Sequence, residues 1–493
     1  MSALADAIAR SFTAGEPERP AVSPLRALGR RRLSGLEVLA QSVATTAPAA
    51  SMVVLPVTML QTGDPAAGVL TVLGATLLIM CIAGCVVRFT RRQVAAGGLH
   101  SFAFQGLGTR AALATGVAIL AKFLGSAALT LHSGAVTVTT LATLAGFDAT
   151  GAGARLAVLA LVAAVVLAVL VRGVRVGAIA ILAVELCSLV FIIGLSVLPA
   201  PGVVVLPAPA AGATHAVLYL ALATIFSLAG FESATFFGPE AKRPFVTITR
   251  TVLATPLLCG ALFVVAAWAA WTGRSATLLN AWLHGTASGV PAPLVVALHV
   301  GVGCSWLASA TASAHAASRL VYSMGVERLL PRRFTRVHAR FRTPWPALVL
   351  IVPVIALGAG VTAVAGAGDL RHVVRAMVVF AYVLVAAASV RFLLRIGEHT
   401  PAALVTGTAA AAVGTALLAY QLVATLLDGS GAAAAVVVAL LLAGPCWQRF
   451  LRRRERLDGI GAFDCAESAD VLPGSGALAR DAAGNVVLVR RSA

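Results

Sequence analysis

TIFSLAGFESATFFGPE, residues 224–240, is the stretch on which the fold turns. It belongs to an apolar run of membrane-span length, yet it contains Gly230 and, two residues on, an ionisable Glu232. Hydrocarbon offers no partners to freed backbone groups, so irregular backbone at that depth implies a protein-lined or watered cavity. A second run, AQSVATTAPAASMVVLP (40–56), carries the same signal. There Pro48 removes a helical hydrogen bond among Ala, Ser and Thr.

Working outward, the 493 residues are 59% hydrophobic and 11% charged, with mean hydropathy +0.94. That is too little polar surface to cover a soluble globule of this size, so the chain reads as an integral membrane protein. Apolar stretches long enough to cross the bilayer as helix fall near 36–60, 67–87, 112–140, 155–171, 177–198, 214–237, 251–272, 291–325, 345–364, 373–394, 403–424 and 432–448. The expected fold is therefore all-α, with twelve transmembrane helices.

The net charge of +18 invites a nucleic-acid reading until the charges are located. Alternate loops place 32 Lys and Arg on the side holding both termini and four, Arg155, Arg274, Arg371 and Arg375, on the other. The positive-inside rule puts both ends in the cytoplasm. The basic excess then reports topology and contact with the lipid bilayer, and no nucleic acid is expected. The N-terminal tail interleaves Arg10, Arg19 and Arg26 with polar residues and has no apolar core before residue 33, unlike a cleavable signal peptide. Seven cysteines, Cys81 and Cys85 among them, read as small packing residues rather than as a metal site or disulfides. The terminal GALARDAAGNVVLVRR reads as a small hairpin about Ala-Gly-Asn.

The two interrupted spans are the first and the sixth, corresponding positions of two five-span halves. Paired broken helices of this kind point to a transporter site at a repeat interface. A polar, Gly-containing connection before span three (95–110) is matched by another before span eight (274–290). The chain thus divides into a tail (1–32), a first repeat (33–198), a second repeat (199–395), helices eleven and twelve (396–450) and a C-terminal tail (451–493).

FSLAGFESATFFGPEAKRPFVTITRTVL (226–253) resembles the sixth-span signature of the amino acid, polyamine and organocation (APC) permeases, a Phe-Glu-Ser followed by a Glu and a basic-Pro turn. AHAASRLVYSMGVERLLPRRFTRVHARFRTPWPAL (314–348) resembles their eighth span and following loop, and GGLHSFAFQGLGTRA (97–111) their link from span two to three. The resemblance covers roughly residues 30 to 450. It implies the LeuT-like five-plus-five inverted repeat with two further C-terminal helices, and alternating-access transport of amino acids or amines. The Ala and Arg bias of the chain points to a bacterial cell inner membrane. The resemblance further implies that Ala47, Pro48, Ala49, Ala50 and Ser51 offer backbone N–H groups to a substrate carboxylate. Carbonyls around Phe226, Ser227, Leu228, Ala229 and Gly230 would face its ammonium, with Phe226 as an aromatic gate. Independently, a half-helix N-terminus favours anions and an aromatic face favours cations. Where many relatives have a glycine pair in the first break, this chain has Ala-Pro-Ala-Ala-Ser, which crowds the approach.

Ionisable residues inside spans are expensive and mark paths or partners. Here they are Lys122, Glu185, Glu232 and His315, with His132 and His299 nearer the outside. Lys122 is one of only two lysines in an arginine-using chain, and it shares a small, polar helical stripe with Gly125, Ser126 and Ser133. Its depth matches that of Glu185, so a Lys122–Glu185 pair is expected, either locking two helices or coupling to protons; snorkelling of Lys122 is the third reading. A desolvated lysine can lose its proton where an arginine cannot, which favours protons over sodium as the coupling ion. The resemblance implies that Glu232, matching the family's sixth-span glutamate, links substrate occupancy to gating; by its own position it reads as a capping acid at a half-helix N-terminus, and the two roles are compatible. His315 reads as a packing hydrogen-bonder or a titrating group. Ser305, Ser309 and Ser313 read as a close-packing face, with a sodium site as the alternative.

No phosphate loop, paired-Cys motif, Gly-x-Ser-x-Gly or His-Glu-x-x-His is present. The chain reads as a secondary transporter and not an enzyme, with no cofactor. The alternatives are a transporter of a polyamine or other organic amine, and a transporter-fold sensor with little flux.

Overall fold

The first helix stops where Pro48 requires it to. In the computed structural model α1 runs Gly35–Thr45, opened by a Ser34/Glu37 capping box, and α2 runs Pro48–Leu60. Between them Ala47 takes φ 45°, ψ 60°, a left-handed conformation that costs an L-residue about 1–2 kcal/mol. The structure describes residues 28–29, 32–149, 151–172, 174–198, 202–206, 213–454, 456–457, 459–467, 471, 476–480 and 486–490, with backbone only for 174–182, 213–215 and the last two strands. The tail arginines Arg10, Arg19 and Arg26 lie outside these residues.

After α2 come α3 (Pro65–Thr90), a short strand β1 (Gln93–Val94), a nine-residue helix α4 (Leu99–Leu107), α5 (Thr109–Leu144), α6 (Ala152–Arg172) and α7 (Val174–Val197). The sixth apolar run is broken as its glycine suggests. Helix α8 (Ala213–Leu228) ends, and Phe231–Glu240 continues as a tighter 3-10 segment. Then follow α9 (Pro244–Trp271), a second nine-residue helix α10 (Ala276–His284), α11 (Ala292–Val326), α12 (Trp345–Ala365), α13 (Gly368–Ile396), α14 (Pro401–Leu427) and α15 (Gly431–Arg452).

Eleven spans among the described residues are long and apolar enough to cross a membrane, and the described apolar part of α7, Ala183–Val197, is shorter. The protein is a multi-pass helical membrane protein. Helices α5 and α11 form its axis. At 36 and 35 residues they reach roughly 50 Å at about 1.5 Å per residue, well beyond the hydrocarbon thickness. They cross where glycine permits it: a Cβ on Gly134 would stand 2.5 Å from Leu307. The short α4 packs as closely on α13, because a Cβ on Gly106 would meet the carbonyl oxygen of Ala388 at 2.2 Å. Helices α14 and α15 are peripheral, with 22% of each span buried. Arg88 ties α14 on, donating to the Ala403 carbonyl at 2.7 Å and to the Thr406 hydroxyl at 2.6 Å.

Past α15 the chain doubles back over the arginine-rich end of the bundle. Strand β2 (Cys465–Ala466) pairs antiparallel with β1, Gln93 opposite Ala466, and Glu467 N–H donates to the Arg92 carbonyl. Asp464 accepts from Ala96 N–H at 2.9 Å and from the Ser101 hydroxyl at 3.2 Å. Gly461 N–H donates to Glu327 at 3.1 Å. The other Glu327 oxygen holds His100 Nε2 at 3.2 Å, while His100 Nδ1 faces the Ala112 carbonyl at 2.8 Å. An acceptor at each ring nitrogen favours the doubly protonated imidazolium. The final strands, β3 (Gly476–Arg480) and β4 (Val486–Arg490), pair antiparallel as the hairpin the sequence suggested.

This strap is pH-sensitive, with a definite sign. Burial, then the neighbouring Glu327 charge, push the Asp464 carboxyl up to about 7. For His100, burial opposes the imidazolium, but the Glu327 hydrogen bond and charge outweigh it and raise the pKa. The docked Asp464 thus holds a proton that a released strap gives up, so docking weakens as pH rises from the ordinary carboxylate range through about 7; His100 owes its shift chiefly to Glu327, which stays with the bundle, and does not set this sign. At pH 7.5 tryptic cleavage at the exposed Arg452–Arg454 segment is expected to be several-fold faster in the wild type than in Asp464→Asn, whereas at pH 5.5 the two should be cut alike, a comparison that cancels trypsin's own pH dependence. A wild-type to Asp464→Asn ratio that is equal at both pH values would refute the assignment.

Candidate functional site

The two helix breaks lie against each other. A Cβ on Gly230 would stand 2.8 Å from Thr46 Cγ2 and 3.0 Å from the Thr46 backbone nitrogen. Across the junction the Ser42 hydroxyl donates to the Phe231 carbonyl at 3.3 Å and the Thr45 hydroxyl to Ser233 Oγ at 3.2 Å. Glycine at 230 is what lets two backbones meet this closely.

At the first break the structure differs from the expectation for Ala47, Pro48, Ala49, Ala50 and Ser51. Their free amides are already occupied. Ala49 N–H donates to Glu185 Oε1 at 3.0 Å, Ala50 N–H to the Ser305 hydroxyl oxygen at 3.3 Å, and Ser51 N–H to the Ala47 carbonyl. Ser305 in turn donates to Glu185 Oε1 at 2.8 Å. The N-terminal amides of α2 thus hold a carboxyl group, as helix N-termini do, but it is the chain's own Glu185. Glu185 Oε2 is buried with no hydrogen-bond partner among the described residues.

Lys122 consequently has a different partner from the one its depth suggested. Its Nζ lies 2.7 Å from Glu232 Oε1, both side chains fully buried, and 3.9 Å above the Phe123 ring. Snorkelling is thereby ruled out. The Tyr382 hydroxyl donates to the other Glu232 oxygen at 2.8 Å. Glu232 sits in the first turn after Gly230, so the break that turns the chain also aims its carboxylate at α5 and α13. Tyr382 carried no signal in the sequence beyond being one of four tyrosines.

His315 belongs to another layer, toward the arginine-rich face. Its Nδ1 accepts from Arg319 at 3.2 Å, which requires that nitrogen to be unprotonated. Arg319 donates to Glu240 at 3.0 Å and stacks 4.8 Å from the Phe237 ring. This is the packing role rather than the titrating one. Leu33 bridges to Ala241 alongside, so this end of the junction is sealed. Ser309 donates to the Thr45 carbonyl at 2.9 Å, and Ala308 and Ala312 pack on Ala44, which makes the serine stripe a close-packing face against α1.

On the arginine-poor side of the junction a cavity of about 380 Å³ opens. It reaches in to Ser51, Phe226 and Ser227, while Ala49, Ala50, Leu228 and Ala229 lie buried and do not line it. The sequence-derived candidates are therefore split between the cavity (Ser51, Phe226, Ser227), the packed junction (Ala47, Pro48, Ala49, Ala50, Leu228, Ala229, Gly230), the ion network (Lys122, Glu232), the α2 amide site (Glu185) and the sealed layer (His315). Helix α13 adds Arg371 and Arg375 to the cavity wall. The sequence marks these two only as rare bases on the arginine-poor side.

No family profile matches the chain. Over 69 residues, 13% of the chain, it is 45% identical to an uncharacterized transporter of Rhizobium meliloti (strain 1021), and the match spans 15% of that protein's length. In that stretch this helical membrane protein is similar to a protein named as a transporter.

Proposed function

We propose that the protein is a secondary active transporter that carries a small amino acid or amine across the cell inner membrane by alternating access. The observation that carries this reading is the contact of two interrupted helices at Gly230 and Thr46, with an open cavity on one side and the Arg319–Glu240 seal on the other. Substrate would enter the cavity, and rearrangement of the broken segments would close it and part the seal.

The LeuT-like five-plus-five inverted repeat of the APC permeases accounts for more than the breaks. Each proposed half has a nine-residue helix, α4 or α10, ended by a positive-φ glycine, Gly108 or Gly285, ahead of an exceptionally long helix, α5 or α11. Helices α14 and α15 are then the two appended spans, and both termini lie in the cytoplasm. Protons rather than sodium are the proposed coupling ion, carried by the Lys122–Glu232–Tyr382 network. A second reading, an organic amine without a carboxylate, is favoured by Glu185 filling the α2 amide site.

Reconstituted vesicles with an imposed proton gradient test the proposal. Concentrative uptake of a labelled amino acid or amine, abolished by a protonophore, is expected. Ligand binding with no uptake would instead make the protein a transporter-fold sensor.

A further inference from the structure

Arg375 stands 6% exposed in the cavity wall. Stripping a guanidinium of water is costly unless an anion or a full set of acceptors replaces it. What surrounds it falls short of that. Its Nε has no hydrogen-bond partner among the described residues, and its guanidinium carbon sits 4.2 Å from the Tyr219 ring, with the Tyr219 hydroxyl as an acceptor. No carboxylate among the described residues pairs with it. Asp428, an acid on this side of the protein, faces His372 Nε2 at 3.4 Å.

The neighbours make the deficit worse. Arg371 precedes Arg375 by one helical turn and lines the same cavity, and like charges at that spacing repel. His132 lines it too as a hydrogen-bonding ring, and no Asp or Glu is among the described lining residues. Its charged side chains, Arg371 and Arg375, are both cationic and border a space large enough for a small molecule. Deeper in, Phe226 and Ser227 stand at the carbonyl end of α8, where a cation is favoured.

We propose that Arg375, supported by Arg371 and His132, is an anion-receiving site that takes the carboxylate of the transported molecule. This rests on the transporter reading and decides between its two substrate classes. The carboxylate that cannot use the α2 amides, because Glu185 holds them, is bound by the guanidinium fork instead. A planar, bidentate partner suits a carboxylate better than a point charge does. The substrate class is then the zwitterionic amino acids, carboxylate toward Arg375 and ammonium toward Phe226 and Ser227, and not the simple amines.

Trp282 and Trp306 line the cavity, so tryptophan fluorescence of the purified full-length protein reads its occupancy. The probes are a panel of L-amino acids, their amides, and the matching acids without the amine. At least one amino acid is expected to give a saturable signal, with its amide binding tenfold or more weaker. Arg375→Gln should weaken the acid by tenfold or more and leave the amide unchanged, with Arg371→Gln having a smaller effect. Arg375→Lys, which keeps the charge but loses the fork, should fall between and serves as the test if Arg375→Gln does not fold. The proposal is overturned if amides bind as tightly as acids, if neither Arg375 variant alters acid binding, or if no amino acid binds the folded protein. Vesicle uptake separates the two levels. Uptake of amines but not amino acids sinks the anion site and leaves transport standing, whereas arginine-dependent binding without uptake does the reverse.

Discussion

Lys122→Met should abolish accumulation of folded protein. The substitution leaves the fully buried Glu232 carboxyl held by Tyr382 alone, and stranding one member of a buried pair costs about 3–5 kcal/mol, a large fraction of a typical folding free energy. Glu232→Ala should be as damaging, since it strands the ammonium over Phe123. The double variant Lys122→Met/Glu232→Gln removes both charges and keeps an acceptor for Tyr382, so it should recover most of the thermal stability. Proton movement with substrate should be absent from it. A single Lys122→Met protein melting with the wild type would sink the structural assignment. Retained proton-coupled uptake in the double variant would sink the coupling role.

The second large effect is expected at Glu185. Glu185→Ala leaves the Ala49 N–H and the Ser305 hydroxyl without their shared acceptor, at a cost of about 1–3 kcal/mol for a buried unsatisfied group. It also vacates an anion site at a helix N-terminus, which a small carboxylate can refill. A ligand at about 100 times its Kd restores roughly 2.7 kcal/mol. Acetate or formate should therefore raise the melting temperature of Glu185→Ala by more than that of the wild type, whose cavity arginines are the same. Glu185→Gln keeps an oxygen in place and should need no rescue. Identical responses to acetate in Glu185→Ala and wild type would show that the α2 amides do not bind anions.

Much of the fold is legible in the sequence because lipid makes local rules strict. Pro48 and Gly230 locate both breaks, the polar connections at 95–110 and 274–290 become α4 and α10, and the terminal strands pair as expected, their Ala-Gly-Asn connection lying outside the described residues. The site is less legible, for a geometric reason. Counting residues from a membrane face gives depth, and Lys122 and Glu185 share a depth, but depth says nothing about azimuth around the bundle. Glu232, brought round by the break, lies on Lys122's side, whereas Glu185 points to α2. In the same way the residues 47–51 announce an anion site but not its occupant. A base such as Arg375 reads as a loop-end charge until the helices around it show that it has been buried without an acid.

The C-terminal strap has a consequence for assembly. Its contacts join three parts of the chain far apart in sequence: β1 with the residues just before α4, the end of α11 at Glu327, and the end of α13, where Arg395 donates to the Val471 carbonyl at 2.7 Å. All three are made before the strap leaves the ribosome, since synthesis runs from the N-terminus. The strap can close only after the last helix is inserted, so its docking is a completion step, and a chain whose spans have inserted wrongly would offer it no place to bind.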